Sequence, residues 1–495
     1  MKYLIGIDIG TSGTKSVLFD TDGNVIDSAY AEYPLYHPEN GWAEQSPEDW
    51  WNAVCETLRG ISAKASEGEV CGIGLSGQMH GLVMLDKSGE VLRRSIIWCD
   101  GRTTAECREI EAAVGFDKLI EISANPALEG FTASKIVWVK KHEPHIYARC
   151  RHILLPKDYI RYKLTGEFAT EVSDASGMQL LDVKGRCWSE ELCEILGIDM
   201  SYLPKMHESP EITGYVTKDA EALTGIPSGV AVVGGAGDNA AAAIGTGVCK
   251  NGKAFTTVGT SGVVFAHTDK PLIDKKGRIH TFCCAVPGEW HVMGVTQAAC
   301  LSFNWFRENL ADGLSAKELD QKCSEIPIGA DRLLYLPYLM GERTPVLNSS
   351  ARGVFFGLSA HHTKEHMARA VMEGVTFSLC NCLDVLDETG INPSDMAICG
   401  GGAKSALWRG MIADAYGMPL TTVSSPEAPA LGVAILAGVG VGIYDSVAQA
   451  CDKMVKVKSV TEFDENNHAE YKKFYDVYCS LYPSLKESFG KLAKL

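Results

Sequence analysis

Asp8 stands two residues ahead of Gly10-Thr11-Ser12-Gly13, and the same four residues return as Gly259-Thr260-Ser261-Gly262, 249 positions later in a chain of 495. Small residues in a tight turn let backbone N–H groups and hydroxyls close on an anion. Each copy is therefore a candidate phosphate grip, with Thr11, Ser12 and Lys15 in the first and Gly259, Thr260 and Ser261 in the second. A carboxylate at Asp8 is placed to hold Mg²⁺ against phosphates captured by the turn; an aspartate capping the turn is the plainer alternative. Asp238 follows Gly234-Gly235-Ala236-Gly237 and precedes a run of alanines, so it lies at or near a helix N-terminus. There the helix dipole is expected to keep it ionised and able to accept a proton from an alcohol, with a simple N-cap as the alternative. Gly400-Gly401-Gly402-Ala403-Lys404-Ser405 lies between an apolar strand-like run and a helical one. Residues this small leave room for a flat adenine, although a tight strand-to-helix turn has the same composition.

Gln78-Met79-His80, Trp98-Cys99-Asp100-Gly101-Arg102 and Lys157-Asp158-Tyr159 mix rings with hydrogen-bonding groups in segments expected to be loops. A polyol or sugar site is built that way, from polar groups for hydroxyls and rings for carbon faces. Two literal motif matches fail on context. Gly10 to Ser16 has the wrong spacing for a P-loop and runs into a strand, and Gly72-Ile73-Gly74-Leu75-Ser76-Gly77 does not open a helix as a dinucleotide fingerprint must. Cys283-Cys284, Cys380-Asn381-Cys382 and the histidine pairs lack zinc-site spacing.

The elements that must position these groups follow from pattern. Residues 3–33 read as a three-stranded meander with a hairpin turn at Asp22-Gly23. A helix is expected from Pro47 to about Ala63, then a strand from Val70 to Ser76. The scheme repeats after a Gly/Ala-rich stretch at 228–252, within which the domain junction is placed at 245–252. Strands flank Gly259, a long helix spans about Lys364–Asp387, and strands are expected at Met396–Cys399 and Leu420–Val423. The stripe Tyr471, Phe474, Tyr475, Tyr478, Tyr482 has helical spacing and reads as core or subunit contact.

Composition sets outer limits. The length favours two or three domains. Lys+Arg 46 against Asp+Glu 62 gives a net charge of −16, which argues against a nucleic-acid partner. The longest uncharged stretch, Ala428–Tyr444, is too short for a membrane span and carries Pro429, so it is expected to be buried core near a ligand. No signal peptide is visible, and 17 scattered cysteines read as reduced thiols in a cytoplasmic protein.

Taken together, these segments resemble the FGGY carbohydrate kinases. Asp8 to Lys15 is similar to the family's first phosphate motif, Thr257 to Gly262 to its second, and Gly400 to Ala403 to its adenosine motif. Gly353 to Leu358, continuing through His366, Ala370 and Glu373, is similar to its C-terminal signature. The resemblance implies an α/β, actin-like fold of two duplicated ribonuclease H-like lobes with the catalytic cleft between them. Residues 1–247 would form the sugar-binding lobe and 248–495 the nucleotide-binding lobe. It further implies ATP and Mg²⁺ as cofactors, a small sugar as the other partner, no nucleic acid, no membrane, and a homodimer.

By carry-over, Asp238 would be the catalytic base and Asp8 would serve the Mg²⁺-phosphate end. Gln78, Met79, His80, Trp98, Asp100, Asp238 and Asn239 would face the sugar. Thr11, Ser12, Lys15, Gly259, Thr260, Ser261, Gly401, Gly402, Ala403 and Ser405 would face the nucleotide. The implied reaction is phosphorylation of D-xylulose to D-xylulose 5-phosphate, with ribulose, xylitol or another polyol as alternative acceptors. An actin- or chaperone-like ATPase and a nicotinamide-dependent dehydrogenase are the competing classes.

Overall fold

A computed structural model describes residues 1–425 and 427–495. The first half builds strands β1 (Lys2–Ile9), β2 (Gly13–Asp20) and β3 (Val25–Glu32), helix α1 (Pro47–Ala65) and strand β4 (Glu69–Gly77). A largely helical stretch with α2 (Thr104–Val114), α3 (Thr132–His142) and α4 (Pro156–Thr165) precedes β5 (Ile212–Tyr215), β6 (Ala231–Val233), β7 (Ala236–Gly237) and α5 (Asp238–Gly245). The second half runs through β8 (Lys253–Val258), β9 (Gly262–Thr268), β10 (His280–Cys283), β11 (Trp290–Thr296), α6 (Cys300–Leu310), α7 (Ala316–Cys323) and α8 (Lys364–Glu388). It closes with β12 (Asp395–Cys399), α9 (Ala406–Tyr416), β13 (Leu420–Val423), α10 (Ala428–Gly440), β14 (Val457–Thr461) and α11 (Glu465–Leu492).

The first sheet has the order β5-β6-β4-β1-β2-β3 with β7 also beside β4, and the second has β10-β11-β9-β8-β12-β13-β14. Within each lies the same unit. In the first, β1, β2 and β3 pair antiparallel while β4 and then β6 add parallel to β1. In the second, β8, β9 and β11 pair antiparallel while β12 and β13 add parallel to β8. The expected meander and its counterpart around Gly259 are both present, each with its Gly-Thr-Ser-Gly turn joining the first two strands.

Strand β1 is apolar along nearly its whole length because it is covered on both faces. Tyr3, Ile5, Ile7 and Ile9 share a core with Trp50, Val54, Leu58 and Ile61 of α1. Leu4 joins Val433 and Ala434 of α10 on the opposite face. The uncharged segment after Glu427 is thus a buried helix lying on the first sheet, although its residue numbers belong to the second half. Its approach is close. A Cβ on Gly6 would stand 1.9 Å from the Ala430 carbonyl oxygen, and one on Gly432 would stand 1.9 Å from that of Ala241 in α5.

One expectation changes. Leu154 to Tyr159 is not a loop: His152–Leu154 is a short strand and Pro156 opens α4, so Lys157, Asp158 and Tyr159 form a buried first helical turn. Proline at the first helical position suits that start. The C-terminal aromatic stripe keeps its core reading, with Tyr471 and Tyr478 buried and Tyr478 against Phe377 of α8 at 5.4 Å.

Candidate active site

The strand period of two puts Asp8 on the same face as Leu4 and Gly6, the face that α10 covers. Asp8 pairs in register with Lys15 across β2 and with Ser76 across β4. Ser76 Oγ donates to Asp8 Oδ1 at 2.7 Å, and Lys15 Nζ meets Glu427 Oε1, just ahead of α10, at 2.5 Å. Burial, aided by Glu427, keeps the Asp8 carboxyl above the ordinary aspartate range against the opposing pull of Ser76 and Lys15. Lys15, expected at the nucleotide, is tied to Glu427 in this arrangement.

Each glycine turn is held by its carbonyls. Gly10 O accepts from Tyr33 Oη and from Gln78 Nε2, the latter at 3.3 Å, and Thr11 O accepts from Gln45 Nε2 at 2.7 Å. In the second turn, Gly259 O accepts from Cys300 N at 2.8 Å and Thr260 O from Ala299 N at 3.0 Å, both at the start of α6. A trans peptide sets C=O and N–H antiparallel. Tying these carbonyls to the scaffold therefore turns the N–H groups of Thr11, Ser12, Thr260 and Ser261 the other way, as an anion grip requires.

Asp238 follows directly on β7, where Ala236 lies opposite Ser76 on β4. Ser76 is also the strand neighbour of Asp8, so the two carboxylates stand at the ends of strands in one sheet. Gly237 occupies the N-cap position of α5 and Asp238 is the first helical residue. Asp238 Oδ1 accepts from Asn239 N at 2.7 Å and Asn239 Nδ2 at 2.9 Å. The sequence reading, that the helix start keeps it ionised, is corrected by its burial. Burial, and then the Asp8 charge, push it up to about 7. The approach is narrow: Gly235 has φ +70°, and a Cβ there would stand 2.0 Å from Leu75 O.

Met79 is buried and packs against Gly237, where its Cγ would lie 2.9 Å from an added Cβ. His80 Nδ1 donates to Gly177 O at 2.9 Å, which leaves Nε2 as an acceptor. Burial, with Lys135 and Arg343 nearby, pushes His80 down to about 3, so the ring is neutral. Phe131 and Phe282 pack beside it at 4.8 and 6.4 Å. Across from it, His280 donates through Nδ1 to Asn125 Oδ1 at 2.7 Å and faces Arg343 Nη1 through Nε2 at 3.4 Å.

Three of the residues expected at the sugar have polar groups engaged by the protein itself. Gln78 is 1% exposed and holds Gln45 Oε1 at 2.7 Å. Asp100 is 2% exposed and spends its oxygens on Ala43 N at 2.6 Å and on the Arg102 guanidinium at 2.8 and 2.9 Å. Trp98 is 46% exposed, and its indole N–H binds Thr11 Oγ1 at 2.9 Å.

A cavity of about 670 Å³ opens beside the second turn, lined by Gly259, Thr260, Phe303, Asn304, Gly401 and Trp408 among others. Gly400 has φ +93°, and a Cβ on Gly402 would strike Val258 Cγ1 at 2.5 Å. Gly401 differs, since a Cβ there would meet only Cys300 Sγ at 3.9 Å and would otherwise project into the cavity. Ala403 O accepts from Arg409 Nη1 at 2.6 Å, and Ser405 caps α9 through Trp408 N while donating to Asp320 at 2.5 Å. These last two shape the wall. Phe303, Asn304 and Asp320 were missed from sequence because α6 and α7 reach the cavity only through the packing of the second half. Arg343 also reaches this site, beside His280 and His80, and nothing in its neighbouring residues marks it for that place.

Among the described residues no cluster of three or more His, Cys, Asp or Glu is arranged to hold a metal by itself. Asp8, expected at the Mg²⁺, offers the carboxylate oxygens that a hard divalent cation takes.

Residues 3–245 match the N-terminal domain, and residues 254–441 the C-terminal domain, of the FGGY family of carbohydrate kinases. The chain is 39% identical over 498 residues to the xylulose kinase of Lactococcus lactis, covering 100% of this chain and 99% of that one. A ligand-bound xylulose kinase structure from Lactobacillus acidophilus superposes with a TM-score of 0.95 at 28% identity, covering 99% and 100% of the two chains. A gluconate kinase from the same organism superposes with a TM-score of 0.94 at 29% identity, covering 99% of each. Two sheets repeating one topology, a glycine turn in each and family matches to both halves place this chain, with its actin-like ATPase fold, in the FGGY family of carbohydrate kinases.

Proposed function

We propose that this protein transfers the γ-phosphoryl group of ATP to the terminal hydroxyl of D-xylulose, yielding D-xylulose 5-phosphate. The observation that carries this reading is Asp238. It is a buried carboxylate brought to about 7 at the end of a glycine approach, beside Asp8 and the first phosphate turn. A base with that affinity for protons is matched to an alcohol at neutral pH. Phosphoryl transfer passes through a loose transition state, so Asp238 serves as much to orient the hydroxyl as to take its proton.

The adenosine would occupy the cavity at Gly401, with the phosphates on the amides of the two turns. Met79 would give the sugar an apolar wall, and neutral His80 would accept from a sugar hydroxyl through Nε2. Asp8 would hold Mg²⁺, which when bound neutralises charge on the phosphates. The 17 free cysteines support a reducing, cytoplasmic setting, and the homodimer implied by family resemblance is checked by light scattering.

A coupled ADP-release assay over pentuloses, hexuloses, polyols and aldonates tests the acceptor. D-xylulose should give the highest kcat/KM; no rate above the sugar-free blank would sink the assignment. A second reading, an aldonate acceptor, follows from the likeness to gluconate kinase and from Arg343 near His80. A gluconate rate exceeding that of D-xylulose would establish it.

A further inference from the structure

Beneath the glycine approach to Asp238 lies a cluster of charged side chains with no solvent exposure. Lys157 and Arg161 of α4 meet Asp158, Glu171 and Asp174, all 0% exposed. Lys157 Nζ lies 3.0 Å from Asp158, 3.2 Å from Glu171 and 3.2 Å from Asp174. Arg161 Nη1 lies 2.7 Å from Asp158. Burial, with Asp158 and Glu171 adding to it, holds the Asp174 carboxyl well above the ordinary range.

A buried ionic cluster is a weak source of stability, because desolvation offsets the attraction. Its directional bonds serve another end. Arg161 Nη2 donates to Gly234 O, at one end of the segment before Asp238. Glu171 Oε1 accepts from Ser173 Oγ at 3.0 Å, and that hydroxyl accepts from Gly237 N at 3.1 Å, at the other end. Glu171 Oε2 accepts from Ser209 Oγ at 2.9 Å, and Ser209 O receives Gly235 N at 2.9 Å in the middle. The cluster thus reaches Gly234, Gly235 and Gly237, three of the four residues that lead into Asp238. Glycines supply no side-chain packing of their own to fix that path.

We propose that Arg161, Glu171 and Ser173 are positioning residues, which set where the Asp238 carboxylate meets the acceptor hydroxyl. This rests on the reading of Asp238 as the base. Ser173→Ala removes the link from Glu171 Oε1 through the hydroxyl to Gly237 N, and Glu171→Gln keeps shape while removing the charge opposite Lys157. A misplacement of about 1 Å costs up to roughly a hundredfold. Each variant should therefore lower kcat by about tenfold to a hundredfold, while nucleotide binding in the absence of sugar changes less than about twofold.

Ser123→Ala is the control. It removes an equally buried hydroxyl that bonds the backbone away from this segment, and it should lower Tm without lowering kcat. Wild-type kcat in Ser173→Ala, or a kcat loss no larger than the control shows for the same Tm loss, overturns the proposal. Should Glu171→Gln fail to fold, Ser173→Ala decides alone. Asp238→Asn separates the two ideas. An inactive Asp238→Asn beside a fully active Ser173→Ala overturns the positioning role only, whereas an active Asp238→Asn overturns both.

Discussion

At the scale of single residues, the proposed chemistry rests on two carboxylates whose environments are not alike. Asp8 is hydrogen-bonded by Ser76 and flanked by Lys15, whereas Asp238 has only Asn239 to oppose its burial. Asp238→Asn should lower kcat by about 10²- to 10⁴-fold, the range of general acid–base catalysis, with nucleotide affinity nearly unchanged. In the wild type, kcat/KM should rise with pH up to about 7 and then level, since the base must be unprotonated. Stability of the free enzyme should answer with the opposite sign. Folded Asp238 keeps its proton up to about 7, against an ordinary value of 3.8. Between those values the folded state binds the extra proton, and this group's contribution to stability falls as pH rises. Thermal melts of ligand-free Asp238→Asn and wild type between pH 5 and 8 should diverge, with the variant gaining. A difference in Tm that stays constant across that range would refute the raised value.

At the scale of elements, glycines do two different jobs. Gly401 faces open cavity, whereas Gly402 is pressed on Val258 and Gly432 on α5. Gly401→Ala should raise the KM for ATP several-fold without moving Tm, because its methyl meets the nucleotide and little else. Gly402→Ala should lower Tm instead. Unchanged ATP affinity in Gly401→Ala would remove adenosine from this cavity. Gly432→Ala forces apart α10 and α5, and overpacking of that kind costs about 1–3 kcal/mol, measurable by urea denaturation. The Ser405 cap and the anchoring of the Gly259 turn on α6 show why these glycines are held so closely: both walls of the cavity end in helix starts.

At the scale of the whole molecule, the two halves interlock. Helix α10 covers the first sheet, Ser176 Oγ accepts from Cys283 N at 3.0 Å, and Trp290 Nε1 donates to Val183 O at 2.7 Å. Residues 457–492 add β14 to the edge of the second sheet and lay α11 on its core. A kinase must keep water from acting as the acceptor, which favours closure once sugar is bound. Small-angle scattering should show a smaller radius of gyration with D-xylulose and a non-hydrolysable ATP analogue than with the analogue alone. An identical radius in both would argue for a cleft that is already closed. Among the described residues, no helix is long and apolar enough to cross a membrane.

The sequence alone determined the duplicated strand–turn–strand units, their glycine turns and the prominence of Asp238. These depend on local order, namely short glycine turns, alternating strands and a helix start, and local order is written in adjacent residues. Tertiary structure decided which polar groups remain free for a ligand. Gln78 and Asp100 have the chemistry of sugar ligands, but partners far along the chain consume their hydrogen bonds. Lys157 and Asp158 look like loop residues until burial turns them into the support beneath Asp238. The protonation of Asp238 also belongs to the fold. A helix N-terminus alone would lower its proton affinity, and only packing that excludes water and brings Asp8 alongside raises it.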